Sequence, residues 1–154
     1  MQIEAPAPPL AVPGLVVERV GLQRLAVVEA LNLAVFGDAR VIHRLDRDRL
    51  TMLVASLGGT PVGFKVGYAE SREVFYSAKG GVVEAARRRG IARLLLERMA
   101  DEARAMGFAR FAFDTFPNKH PGMTVLGLAA GFTVTAAGFN SAYRDYRLRF
   151  EKAL

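Results

Sequence analysis

A chain of 154 residues without internal repeats is long enough to bury a real core and predicts one folded unit. Its 21 basic residues, 17 of them arginine, outweigh 15 acids and leave a net charge of +6, a balance that suits a polyanionic ligand. The absence of cysteine excludes disulfides and thiolate metal sites, two isolated histidines argue against a structural metal, and no apolar run reaches the ~18 residues that span a bilayer. No basic region followed by an apolar stretch opens the chain, so a cytoplasmic protein is expected.

Four prolines (Pro6, Pro8, Pro9 and Pro13) disfavour a helix in residues 1–14 and predict an extended tail before a domain at 15–154. Leu15 to Val20 reads as a first strand. From Gly21 to Phe36 the apolar spacing becomes helical, with Leu22, Leu25, Val28, Leu31 and Val35 on one face and Gly37 as a stop. Residues 43–49 alternate acids with Arg44, Arg47 and Arg49; they read as a solvated loop or short helix, with an acceptor-binding wall as the functional alternative. Thr51–Leu57 and Pro61–Tyr68 form a hairpin about Gly58-Gly59-Thr60. In its second strand Val62, Phe64, Val66 and Tyr68 alternate with Gly63, Lys65 and Gly67. A strand from Val74 to Val83 follows, and Gly80-Gly81 within it predicts a bulge or a close approach by a ligand.

The helix from Arg89 to Met106 has the clearest periodicity, with Ile91, Leu94, Leu95, Met99, Ala103 and Met106 as its buried stripe. Arg93–Glu97 and Arg98–Glu102 are i, i+4 pairs on its wet side, and Gly107 caps it with Phe108 folding back. Ala109–Thr115 is a strand that puts Phe111 and Phe113 on one face. A short helix from Pro121 to Ala130 ends at Gly131, and strands at Phe132–Ala136 and Ala142–Phe150 close the chain, with a turn at Gly138-Phe139-Asn140-Ser141.

Between the Val74–Val83 strand and the long helix lies Glu84-Ala85-Ala86-Arg87-Arg88-Arg89-Gly90-Ile91-Ala92. A strand that gives way to a helix here leaves the first helical N–H groups unpaired, with the helix dipole adding positive charge. Gly90 and Ala92 keep side chains clear of the backbone, and Arg87, Arg88 and Arg89 add full charges. Those parts make a pyrophosphate cradle. The Gly-Lys-Ser/Thr ending of a Walker loop is missing, as are two of the three glycines of a Rossmann turn.

Arg87-x-x-Gly90-x-Ala92 resembles the acetyl-CoA signature of the GNAT superfamily of N-acyltransferases, written Arg/Gln-x-x-Gly-x-Gly/Ala. Two further matches support the resemblance, which covers roughly residues 15–150: the order of elements, and Ala129-Ala130-Gly131-Phe132 at the place of a Lys-x-Gly-Phe ending. It implies an α/β fold with a mixed, mostly antiparallel central sheet, helices on both faces, and splayed fourth and fifth strands. It also implies acetyl-CoA as co-substrate and direct attack by the amine of a small-molecule or peptide acceptor. Neither nucleic acid nor membrane is implied as a partner, and a homodimer is possible. Val82 and Val83 would offer backbone groups to the pantetheine, and Arg87, Arg88, Arg89, Gly90, Ile91 and Ala92 would hold the pyrophosphate. Asn118 matches an asparagine near the coenzyme arm, although a turn or cap role is open to it.

The chemistry asks for an oxyanion donor, such as an N–H near Gly81 or Val82, and for a base, for which Glu73 and Asp114 are the candidates. Where many relatives carry a tyrosine acid, this chain has Gly127; Tyr143 or Tyr146 could substitute, or the thiol, with a pKa of about 8.5, could leave unaided. That departure leaves a catalytically silent acyl-CoA-binding sensor as the alternative to an enzyme. A nucleic-acid binder ranks below both, because the arginines are scattered and no aromatic residues interleave with them.

Overall fold

The computed structural model describes residues 12–154, so residues 1–11 of the proline-rich segment lie outside it. The elements are β1 (Leu15–Val20), a 3-10 turn (Leu22–Arg24), α1 (Leu25–Phe36), β2 (Thr51–Leu57), β3 (Thr60–Ala69) and β4 (Val74–Val82). A second 3-10 turn (Glu84–Ala86) precedes α2 (Ile91–Ala105), β5 (Arg110–Thr115), α3 (Pro121–Ala129), β6 (Thr133–Asn140) and β7 (Asp145–Ala153). The strands form one sheet in the order β1-β2-β3-β4-β5-β7-β6, antiparallel except between β4 and β5. The α/β class, the mixed sheet and the order of elements all follow the expectation.

Strand alternation divides the core between the two faces of this sheet. Met52, Val54, Phe64 and Val66 point to α1, where they meet Val28 and Leu31. Leu53, Ala55, Phe75, Phe111, Phe113 and Phe150 point the other way and pack with Ile91, Leu95, Leu96 and Met99 of α2. Because helices cover both faces, β2 is buried from Thr51 to Ser56 and reads as a nearly continuous apolar run. Leu22 departs from its predicted stripe: it sits in the 3-10 turn, whose tighter winding turns it outward, 55% exposed.

Both α2 and α3 end in the same way, for the same reason. Gly107 and Gly131 adopt left-handed backbone (φ 91° and 85°), and the next N–H reaches back to the helix, Phe108 to Ala103 O and Phe132 to Gly127 O. Each Gly-Phe pair thereby turns its phenylalanine into the core, where Phe132 stacks edge-on against Phe111 and Phe113. The closing hairpin differs from its predicted register, with β6 running on to Asn140 and the turn falling at 141–144. Asn140 Oδ1 accepts the Tyr143 N–H at 3.1 Å and Arg144 takes a left-handed backbone, which together place the reversal three residues later.

Candidate functional site

The predicted bulge in β4 forms at Ala78 rather than at the two glycines. Val66 pairs with Lys79 and Gly67 with Ser77, so Ala78 is the extra residue, while Gly80 and Gly81 stay in register with Lys65 and Phe64. Gly81 makes room for α1: a Cβ there would lie 2.7 Å from Val35 Cγ1. The bulge falls where β4 leaves β5, since their parallel pairing runs only from Val74–Arg110 to Ser77–Phe113. Added twist at the bulge carries the rest of β4 away from β5. The splay opens a cleft of about 1590 Å³ that reaches from the start of α2 to the loop before β2.

At its α2 end the cleft is walled by backbone. Arg88 and Gly90 both adopt left-handed conformations (φ 63° and 83°), unusual for an arginine, and Gly90 caps α2 without any side-chain hydrogen bond. Among the described residues, the N–H groups of Arg88 through Arg93 find no backbone carbonyl, the first helical bond being Leu94 N–H to Gly90 O. Successive N–H groups turned inward this way form an anion-binding nest at a positive dipole end. Arg87, Arg88, Gly90, Ile91, Ala92 and Arg93 line it, and the small Ala92 leaves the backbone open, so the nest fits a pyrophosphate. Arg89 and Val83 fall outside the lining.

Arg87 has a second task. Its Nε donates to Val82 O at 2.9 Å, which ties the turn to β4. Val83 N–H is held by Val62 O on the β3 side, so alternation directs the Val82 N–H and C=O into the gap. Arg87→Ala should therefore cost stability of about 1 kcal/mol, and Arg88→Ala, which has no such bond, almost none. Urea unfolding of the two variants checks the difference.

Lys65 is buried beside the gap, at 7% exposure, on the α2 face. It stands across from Gly80, and the lysine crosses that position: a Cβ on Gly80 would meet Lys65 Cγ at 3.2 Å and Nζ at 3.4 Å. No carboxylate pairs with it among the described residues, and burial alone lowers its amine to about 8. Lys65 alternates with Phe64 and Val66 and shares its face with Gly63 and Gly67. What the alternation could not reveal is that α2 and the cleft edge cover that face.

On the opposite face of the sheet, β3, β4, β5 and β7 each contribute a side chain to one cluster. The Tyr68 and Tyr76 rings lie 5.8 Å apart, the Arg47 guanidinium sits 4.7 Å above Tyr68, and Tyr76 OH donates to Asp114 Oδ2 at 2.7 Å. Burial and then the Asp114 bond raise the Tyr76 phenol well above its ordinary value, so it stays protonated, while Arg147 pulls weakly the other way. Arg149, opposite Asp114 in the β5–β7 register, is bound instead to Glu70. Asp114 thus faces the cleft with one oxygen fixed by Tyr76.

The structure does not bring the other candidates here. Glu73 precedes β4 at the end remote from the splay, where its carbonyl accepts the N–H groups of Ala109 and Arg110, and it does not line the cleft. Asn118 donates to Asp145 Oδ1 at 2.9 Å, which tethers it to the last hairpin and lowers the Asp145 carboxyl further. Tyr143 lines the cleft and packs on Phe116, whereas Tyr146 lies outside, 60% exposed and against Phe139. Gly127 is closed to any side chain: a Cβ would lie 2.8 Å from Phe113 Cζ and 3.2 Å from Phe150 Cδ1. Gly127→Ala should cost about 1–3 kcal/mol through overpacking, measurable by urea denaturation.

Comparison with known proteins bears on the family and the fold. A family model described as an acetyltransferase (GNAT) domain matches residues 38–119, which contain the hairpin, the splay, the nest and α2. No curated protein matches the chain in sequence. Among solved structures, it is similar to a GNAT family acetyltransferase from Elizabethkingia anophelis with acetyl-CoA bound, at TM-score 0.81 and 16% identity, covering 93% of this chain and 100% of that one. An IAA acetyltransferase from Bacillus cereus gives TM-score 0.76 at 20% identity over 91% and 99% of the two chains. A ribosomal-protein-S18-alanine N-acetyltransferase from Escherichia coli gives 0.77 at 13% identity over 90% and 93%.

Proposed function

The chain belongs to the GNAT acetyltransferase family, and from that premise we propose that it binds acetyl-CoA in the β4–β5 splay and transfers the acetyl group directly to an amine. The observation that carries this reading is the nest of free N–H groups from Arg88 to Arg93 at the mouth of the splay. It supports a pyrophosphate at Arg88, Gly90, Ile91 and Ala92, with Arg87 and Arg93 flanking. Acetyl-CoA supplies a thioester whose carbonyl carbon forms a bond to the amine nitrogen as the carbon–sulfur bond breaks and the electron pair leaves on sulfur. Val82 N–H, turned into the gap, is the donor suited to the developing oxyanion. Asp114 is the base that takes the proton from the amine nitrogen, held in place by Tyr76. Glu73 stands too far along β4 for that task. With Gly127 closed, no side chain from that position can protonate the sulfur, and Lys65 is the buried cation on the α2 face that would hold it as thiolate.

A thermal-shift titration tests the reading. At about a hundred times its Kd, acetyl-CoA should stabilise the fold by roughly 2.7 kcal/mol. Arg88→Ala should weaken that binding about tenfold while leaving the unliganded melting temperature unchanged. No shift with acetyl-CoA at millimolar concentration sinks the proposal. A shift without any amine-dependent thiol release would instead favour the silent acyl-CoA-binding sensor, which the closed Gly127 position also supports.

A further inference from the structure

The cleft carries far more positive charge than one cofactor needs. Arg87, Arg88 and Arg93 stand at the nest, but Arg40, Arg47, Lys65, Lys79, Lys119 and Arg147 line the remainder, against only Asp38 and Asp114 among the described residues. Lys79 is committed to Arg40 O and to the Phe36 ring, and Lys119 to Tyr143 O. Arg47 and Arg147 have no carboxylate within ion-pair distance among the described residues, unlike Arg44 with Asp46 and Arg149 with Glu70. Arg47 Nε is buried without a hydrogen-bond acceptor among the described residues, a donor that costs free energy to leave unpaired. Its guanidinium lies over Tyr68, whose ring meets Tyr76, and Tyr76 OH holds Asp114. Arg147 lines the same cleft, and its charge acts weakly on the Tyr76 phenol. Two guanidinium groups without an ion-pair partner among the described residues therefore line the same cleft as the Tyr68–Tyr76 pair and the Asp114 carboxylate.

Resting on the acetyl-transfer reading, we infer that the acceptor is a small primary amine that also carries an anionic group, carboxylate or phosphate. The anionic group lies between Arg47 and Arg147, and the amine turns toward Asp114. Guanidinium forks match carboxylate and phosphate oxygens in pairs, and Tyr68 and Tyr76 cover the apolar part of the molecule between its two ends. Nitrogen uses its lone pair to form the amide bond, its proton passes to Asp114, and the displaced sulfur keeps the pair from the broken carbon–sulfur bond. Polycationic amines are disfavoured by the same wall, because each added ammonium group meets guanidinium charge of the same sign.

The test uses matched amines with the full chain and acetyl-CoA, following thiol release: L-phenylalanine against phenethylamine, phosphoethanolamine against ethanolamine, and spermidine as the polycation. At least one member with the anionic group should exceed its counterpart without it by tenfold or more in kcat/KM, and the better of the two pairs tells carboxylate from phosphate. In the Arg47→Gln, Arg147→Gln double variant that ratio should fall at least tenfold through a higher KM, while the thermal shift with acetyl-CoA persists. Preference for an amine without an anionic group or for spermidine overturns the inference, as does binding of acetyl-CoA with neither anionic amine turned over. Loss of the acetyl-CoA shift in the unmodified chain would instead overturn the acetyl-transfer reading on which it rests.

Discussion

Lys65→Met should make the protein more stable at pH 7, by about 2–3 kcal/mol, and less active. Burial lowers the lysine amine from 10.5 to about 8, with no opposite charge to offset it. A depressed lysine titration has a definite sign in folding. Between about pH 8 and 10.5 the unfolded chain holds a proton that the folded chain has lost, so stability rises with pH across that window. Below about 8 the folded state carries the full cost of a buried ammonium, up to about 3 kcal/mol from the size of the shift. Methionine fills nearly the same volume without charge and removes that cost. Urea unfolding at pH 7 and pH 10 should show a large gain for the variant at the lower pH and a small one at the higher. Lys79, which burial also lowers, contributes with the same sign in both proteins and cancels in the comparison. An equal effect at both pH values would mean that the ammonium is solvated in the folded protein. Thiol release by the variant should drop about tenfold, because the cation proposed to hold the departing thiolate is gone. Stability given up at a site and recovered when the site is removed is the expected relation between a functional group and the fold that carries it.

The sequence discloses those parts of the molecule that local physics decides. Helix α2 is legible because its apolar spacing, its i, i+4 pairs and its Gly-Phe ending all agree, and the Arg93–Glu97 and Arg98–Glu102 bridges form as spaced. The nest is legible too, since a strand, a run of arginines and a glycine before a helix leave little else for those N–H groups to do. What escaped is non-local. Tyr68, Tyr76, Asp114 and Arg147 come from four strands brought side by side only by the strand order β3-β4-β5-β7, and no spacing along the chain encodes that meeting. Glu73 and Asp114 look equivalent as strand-end carboxylates. The parallel pairing separates them, since one precedes β4 outside the cleft and the other lies beyond the last β4–β5 pair, in the splay. Gly80 and Gly81 suggest a bulge or a ligand's approach, but the bulge falls at Ala78, and what comes close to the glycines is Lys65 on one face and α1 on the other.

Asp114→Asn should lower kcat/KM for amine acetylation at pH 7 by about a hundredfold or more, the range in which a positioned base contributes. Asparagine keeps the shape of the side chain, and its carbonyl oxygen can still accept from Tyr76 OH, so the local geometry survives. Arg149, the cross-strand neighbour, remains paired with Glu70 and is not left as an unbalanced charge. The unfolding free energy should therefore change by less than about 1 kcal/mol, and the acetyl-CoA thermal shift should be kept. What changes is the fate of the amine proton. Without the carboxylate, only acceptor molecules that arrive already deprotonated can react, so the variant's rate should climb tenfold per pH unit until the acceptor's own pKa is passed. The unmodified protein should show a shallower rise over the same range, because its base removes the proton after binding. Tyr76→Phe supplies the companion measurement: it leaves the carboxylate but frees the oxygen that the phenol holds at 2.7 Å, and a loss of about tenfold is expected from misplacement alone. If Asp114→Asn retains full activity with an unaltered pH profile, the proton goes directly to water and the carboxylate serves only to hold Tyr76. In that case the two substitutions should have equal and small effects. A large loss in the first and a small one in the second is the pattern that a base and its positioning partner produce.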